Sequence, residues 1–254
     1  MPCIAIFQHA PVLLDRGATI AKAVSAVDEA SRAGARLVVF SDAFVPGYPT
    51  WLWQLRPGDD MALTRQLHAR LLANAVDLTG ADLAPLRQAA LEHEINIVCG
   101  VNEHDTTISR STLYICVVII GPDGALPNRH RKVMPNNPER MVWGFGDASG
   151  LKAVDTPCGR VGALICWESY MLLARCAMYA QGVEIYVAPT YDSGERCIAT
   201  MQHIAREGGC WVLGAGCALQ GSHIAQALPE KNRFYPDAHR VGQSGRLRRG
   251  CPGR

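Results

Sequence analysis

The 254-residue chain lacks the runs and motifs by which several classes of protein are recognised. No apolar stretch approaches the ~20 residues that a membrane-spanning helix requires. The opening MPCIAIFQHAPV has no basic segment ahead of its apolar residues and reads as a first strand, so no leader peptide is expected. A formal net charge of only +2 gives nucleic acid or an anionic membrane little electrostatic hold. There is no GxSxG elbow of a serine hydrolase, no GxxxxGK phosphate loop and no GxGxxG dinucleotide turn; GFGDASG and GAGCALQG come near and read as turns. His9, His130 and His203 have no Cys or His at ligand spacing, so no zinc site is expected.

Paired cysteines are missing too. The ten cysteines, Cys3, Cys99, Cys116, Cys158, Cys166, Cys176, Cys197, Cys210, Cys217 and Cys251, form no CxxC. Several sit in apolar runs such as NIVCGV and YICVVII, where a free thiol packs as a small hydrophobe. So many thiols in a long chain without a leader fit a reducing cytosol.

What is present is a 48% hydrophobic sequence in which apolar runs alternate with helical patterns. Strands are predicted at 3–8, 36–40, 95–101, 112–121, 162–167, 184–189 and 210–216, and helices at 17–33, 61–77, 81–93, 169–181 and 196–208. In SRAGARLVVF, YAQGVEIYVAP and AREGGCWVLGAG a helical segment ends in Gly and runs straight into a strand, the punctuation of αβ units. The turn signal PDG at 122–124 predicts that strand 112–121 folds back through ALPNRHRKV. The pattern implies a layered α/β protein with mixed sheets, one domain over 1–220. From Gly221 the periodicity stops, and GQSGRLRRGCPGR offers nothing to bury, so 221–254 is expected to be an irregular, disordered or truncated tail.

Three stretches carry chemistry. In GALICWESYMLLARCAMYAQG an apolar strand ends at Cys166 and an amphipathic helix follows, an elbow that would hold a thiol at a sheet edge near helix N–H groups. In NRHRKVMPNNPERMVWGFGD, Lys132 follows a strand and precedes a Pro-rich loop carrying Glu139; buried beside carboxylates it would be a fixed cation, whereas composition alone suggests a basic surface patch. In RLVVFSDAFVPGYPTW, Asp42 lies just past an apolar strand, where open α/β sheets carry functional groups, although a turn Asp would read the same.

Taken together, FSDAFVPGYPTW, NRHRKVMPNNPERMVWGFGD, GRVGALICWESYMLLARCAMYAQG and VEIYVAPTYDSG resemble the nitrilase superfamily from about Cys3 to Gln220, and Cys166-Trp167-Glu168 resembles its nitrilase branch. The resemblance implies an α-β-β-α sandwich, a homodimer or larger homo-oligomer in the cytoplasm, no cofactor, and a small nitrile as substrate. It implies that Cys166 is the nucleophile, Lys132 the positioned cation, Asp42 the general base and Glu139 a second carboxylate. Tyr48, Trp143, Trp167 and Tyr191 lie in or beside the motif loops and are candidates to line the substrate pocket, or to pack those loops together.

Two features depart from the family pattern. Asp42 and Ser41 stand where the family has Glu and Pro, which withdraws the carboxylate by one methylene. The end of the chain also differs from the usual continuation, which suggests truncation or a change of frame and, through an exposed sheet edge, poor solubility. An amidase or carbamoylase would use the same four groups, and a catalytically impaired relative would account for Asp42.

Overall fold

The computed structural model describes residues 3–192, 194–235 and 240–241; the Gly- and Arg-rich segment 242–254, expected to be disordered, lies outside the described residues. Two sheets form the centre. The first has β1 (Cys3–Ile6), β2 (Ala35–Val39), β3 (Asn96–His104), β4 (Leu113–Ile120) and β5 (Asn128–Arg131) in sequential order. Its first three strands run parallel, and β4 and β5 return antiparallel through the anticipated hairpin. The second sheet orders β6 (Val154–Thr156), β7 (Gly159–Ala163), β8 (Ile185–Pro189) and β9 (Trp211–Ala215), with the last three parallel.

Strand alternation sorts the side chains into layers. Leu37, Val39, Val98, Ile115, Val117 and Ile119 of the first sheet pack against Val161, Ala163, Ile185, Val187, Leu213 and Ala215 of the second. On the outer face of the first sheet, Val38, Ile97, Cys99, Val118 and Ile120 meet α1 (Arg16–Arg32) and α3 (Ala84–Glu92). On the outer face of the second, Leu164, Tyr186, Ala188 and Val212 meet α4 (Leu172–Ala180) and α5 (Glu195–Gly208). The result is the α-β-β-α sandwich that the motifs implied. α2 (Met61–Ala73) adds Leu67 and Leu71 to the central core.

The helix punctuation follows the sequence. Asp15 accepts the Ala18 N–H at 2.9 Å and caps α1. Gly34, Gly182 and Gly209, after α1, α4 and α5, take positive φ of 82°, 69° and 58°, which a side chain would resist. The strand expected at 162–167 instead runs from Gly159 to Ala163: residues 159–161 form a hairpin with β6, a strand too short and polar to be read from periodicity, and Cys166 and Trp167 belong to a 3-10 turn. Beyond Gly221 the chain keeps α6 (Lys231–Phe234), and Leu219–Gln220 (β10) pairs with Arg240–Val241 (β11). Ile224, Leu228, Phe234 and Tyr235 of this stretch reach the central core without any periodic pattern to announce them.

Candidate active site

The loop that follows β2 runs tightly against β3. A β-carbon on Gly100 would strike the Ser41 carbonyl oxygen and the backbone of Asp42 and Ala43, so glycine is what lets the two segments touch. Phe40 and Phe44 flank the loop and pack with Phe7 on the outer side. Asp42 is thereby held inside, 2% exposed. Neither of its carboxylate oxygens has a hydrogen-bond partner among the described residues. Burial pushes its pKa from 3.8 to about 7, the Lys132 charge opposing and the Glu139 charge adding to that rise.

Along β5 alternate residues face opposite ways. Arg131 pairs with Cys116 in register and lies on the outer face, where Glu103 and Asp105 bind its guanidinium at 2.6–2.7 Å. His130, opposite Val117, faces the space between the sheets. Lys132, two residues further, turns the same way. The basic triplet is therefore no surface patch: all three side chains are buried. The Lys132 ammonium donates to Glu139 at 2.7 Å and to Asn136 Oδ1 at 3.0 Å. Desolvation disfavours that charge, but the Cys166 and Glu139 charges outweigh it and raise the pKa, so the group stays an ammonium.

Glu139 is the opposite of Asp42: it accepts from Lys132, from the Asn136 N–H at 2.9 Å and from the Tyr48 hydroxyl at 2.9 Å. Because Lys132 and Glu139 are both buried, losing one strands the other. Lys132→Met is expected to lower unfolding free energy by ~3–5 kcal/mol, read as a fall in the denaturant midpoint at unchanged m-value.

Cys166 follows β7 by three residues. The expected elbow is present, but a 3-10 turn over Cys166–Tyr170 separates it from α4. The local reason is Glu168, whose carboxylate folds back onto the Ile165 N–H at 2.9 Å while its own N–H bonds the Ile165 carbonyl. Cys166 takes a φ of +53°, a conformation that costs a non-glycine residue ~1–3 kcal/mol and persists only where its surroundings enforce it. Its thiol receives the Thr190 hydroxyl at 3.3 Å, and Thr190, just past β8, is fixed in turn by the Asp192 N–H at 3.0 Å. Burial raises the thiol pKa and Asp42 adds to the rise; Lys132 and Thr190 pull it back without cancelling it. A thiol in that state needs a base to ionise it near neutral pH.

The structure thus brings Cys166, Lys132, Asp42 and Glu139 into one mutually interacting cluster at the ends of β2, β5 and β7. Tyr48 joins it, its ring 4.7 Å from Tyr191 in a near-parallel stack and 5.5 Å from Trp143. Trp167 does not join: the residue is 52% exposed and its ring packs on Tyr170 at 4.7 Å. Three contributors were not legible in the sequence. Thr190 is one, and the bonding role of Glu168, visible in the sequence only as part of Cys166-Trp167-Glu168, is another. The third is Asn102, fully buried, which donates to the Val45 and Gly47 carbonyls at 3.2 Å and accepts from Trp143 at 2.9 Å, tying the Asp42 loop to the Glu139 loop. Asn102 stands in a largely apolar strand, where only its tertiary partners reveal a polar role.

Two sheets sandwiched between helices, with a buried thiol, an ammonium and carboxylates at the strand ends, define a particular class of α/β protein. The chain belongs to the carbon-nitrogen hydrolase family, whose model matches residues 3–244. An aliphatic nitrilase of Sinorhizobium fredii is 41% identical over 92% of this chain and 75% of its own length. A bifunctional nitrilase/nitrile hydratase of Nicotiana tabacum is 42% identical over 83% of this chain, which spans only 59% of that protein. Among solved structures, a mutant of the amidase from Nesterenkonia sp. AN1 superposes with a TM-score of 0.64 at 18% identity, covering 85% of this chain and 79% of that one, and so matches in fold.

Proposed function

We propose that this chain hydrolyses a small nitrile to the carboxylic acid and ammonia through a covalent adduct on Cys166. The observation that carries the reading is the unequal treatment of the two carboxylates beside the thiol. Glu139 accepts three donors and holds Lys132 in place, while Asp42, with no donor among the described residues and a pKa near neutrality, is free to take a proton. Asp42 removes the Cys166 proton, and the thiolate attacks the nitrile carbon. Lys132 holds and protonates the nitrogen as charge develops on the thioimidate. Water activated by the carboxylate adds, ammonia leaves, and a second water cleaves the thioester. The acrylamide adduct at the active-site cysteine of the Nesterenkonia amidase supports a nucleophilic thiol in this fold.

Tyr48, Trp143 and Tyr191 would form an aromatic wall of the substrate pocket. We assign Trp167 instead to the exposed apolar stretch that includes Tyr170, Leu172 and Leu173, which supports self-association of the chain. Free thiols throughout the described residues, exposed Cys3 and Cys176 among them, support a reducing, cytoplasmic setting. Among the described residues no helix is long and apolar enough to cross a membrane.

Ammonia release from a panel of aliphatic, aromatic and arylacetic nitriles and their amides tests the reading. Release from nitriles is the expected result. Release from amides alone would make the chain an amidase using the same groups, and release from nothing by folded protein would favour an impaired relative.

A further inference from the structure

Glu168 touches neither the Cys166 sulfur nor the Lys132 ammonium by a hydrogen bond, yet it links the segments that carry both. Its carboxylate receives His130 Nε2 at 2.8 Å, the Val133 N–H at 2.7 Å and the Ile165 N–H at 2.9 Å. Lys132 lies between the first two donors along the chain, and Cys166 follows the third. His130 belongs to β5 in the first sheet, whereas Ile165 leaves β7 in the second, so one side chain bridges the two sheets at their active ends. Both His130 and Glu168 are essentially inaccessible. A carboxylate buried this deeply is stable only with fixed donors, and donors that fixed also fix the backbone they come from.

We propose that Glu168 is a positioning residue: its carboxylate clasps the lysine-bearing strand to the cysteine elbow and sets the separation of the Lys132 ammonium and the Cys166 sulfur. The proposal rests on reading Cys166 and Lys132 as the reacting pair. It accounts for two otherwise separate facts. The positive φ at Cys166 needs enforcement, and the clasp on Ile165, one residue before it, supplies it. The Lys132 side chain leaves a loop rather than a strand interior, and the bond to Val133 anchors that loop one residue beyond it.

A simple cap of the 3-10 turn would share the Ile165 bond but would have no bearing on Lys132. The two roles separate in the reactivity of the thiol. The groups facing Cys166 are Lys132, Asp42, Glu139, the Tyr48 and Thr190 hydroxyls and Cys197, and none of them changes when Glu168 is replaced. If the clasp holds Lys132 near the sulfur, loosening it removes a cation and makes the thiolate harder to form.

The experiment is alkylation of Cys166 by iodoacetamide across pH, followed on its own peptide by mass spectrometry, with kcat and KM measured beside it. Glu168→Gln keeps the shape but turns an amide N–H₂ toward at least one of the three donors. At neutral pH its Cys166 is expected to alkylate about tenfold more slowly, the equivalent of one unit in thiol pKa. On any nitrile or amide that the chain turns over, kcat should fall about 100-fold with KM within about threefold, the pattern of a misplaced reacting group. Glu168→Asp, which keeps the charge on a shorter arm, should recover part of both. A folded Glu168→Gln protein with the wild-type alkylation profile would overturn the proposal and leave Glu168 a structural cap. Should that variant not fold, His130→Asn removes one donor and carries the same test: a smaller shift in the same direction supports the clasp, and no shift overturns it. Because alkylation needs no substrate, it decides the matter even if the chain hydrolyses neither nitriles nor amides.

Discussion

Cys166→Ala is expected to abolish ammonia release from every substrate the chain accepts, by roughly 10⁴- to 10⁶-fold, the scale seen when the nucleophile of a covalent hydrolase is removed. Alanine carries the same strain at a φ of +53° as cysteine, and the site loses one Thr190 hydroxyl bond, so the fold should survive with a change of ~1 kcal/mol. Cys166→Ser should be nearly as inactive, since a buried hydroxyl is a far weaker nucleophile than a thiol whose base has a pKa of about 7. Cys176→Ala, an exposed thiol on α4, is the matched control and should leave the rate unchanged. Intact-mass measurement during turnover adds a second readout, because a transient adduct should appear on the wild-type chain and never on the alanine variant. Activity above a few per cent in Cys166→Ala would place the nucleophile elsewhere.

How much of this site could be read from the chain depends on how local each feature is. The helix–Gly–strand rhythm is local, and the strands and helices emerge from it near their observed bounds. Cys166, Lys132 and Asp42 are each marked by standing at a strand end, so the sequence suggests them, yet each alone reads equally well as packing, patch or turn. Only the register of β5 on β4 shows that His130 and Lys132 point inward and Arg131 outward, a period-2 consequence that needs the pairing partner. Glu168 reaches Val133 and His130, 35 and 38 residues away, Asn102 reaches Gly47 and Trp143, 55 and 41 away, and Thr190 reaches Cys166, 24 away; no periodicity records such distances. Trp167 illustrates the reverse case: adjacency to Cys166 suggests a pocket residue, but the 3-10 turn rotates its ring outward onto Tyr170. The core contributions of Phe234 and Tyr235 were hidden for a simpler reason, since short non-periodic segments can bury large side chains without forming an amphipathic pattern.

Asp42→Glu and Asp42→Asn should move the rate in opposite directions. A carboxylate one methylene longer reaches ~1.5 Å further, and a displacement of that size is worth roughly 100-fold when the group is a poorly placed base. Asp42→Glu is therefore expected to raise kcat by about that factor. Asp42→Asn, of the same size but unable to accept the proton, should lower it by ~10²- to 10⁴-fold. The two unpartnered oxygens of Asp42 argue that the wild-type side chain falls short of donors a longer one would reach. The pH profile of the wild type identifies the base independently. A group with a pKa of about 7 must be ionised to act, so the rate should climb between about pH 6 and 8 and level off above. The same group has the opposite effect on stability. Its folded pKa lies above the ordinary 3.8, so the native state holds the proton more tightly, and the stability this contributes is complete below 3.8 and lost as pH rises through about 7. Asp42→Asn removes that liability, and its unfolding midpoint should exceed the wild type's above neutrality while its activity is lower. Denaturant titrations at pH 5 and 8, run beside the kinetics, check both signs. A rate that is flat across pH 6–8 and indifferent to Asn at position 42 would remove Asp42 as the base. A gain in Asp42→Glu alone would mean that the remaining groups are already placed for reaction, and that the short carboxylate is what limits the chain.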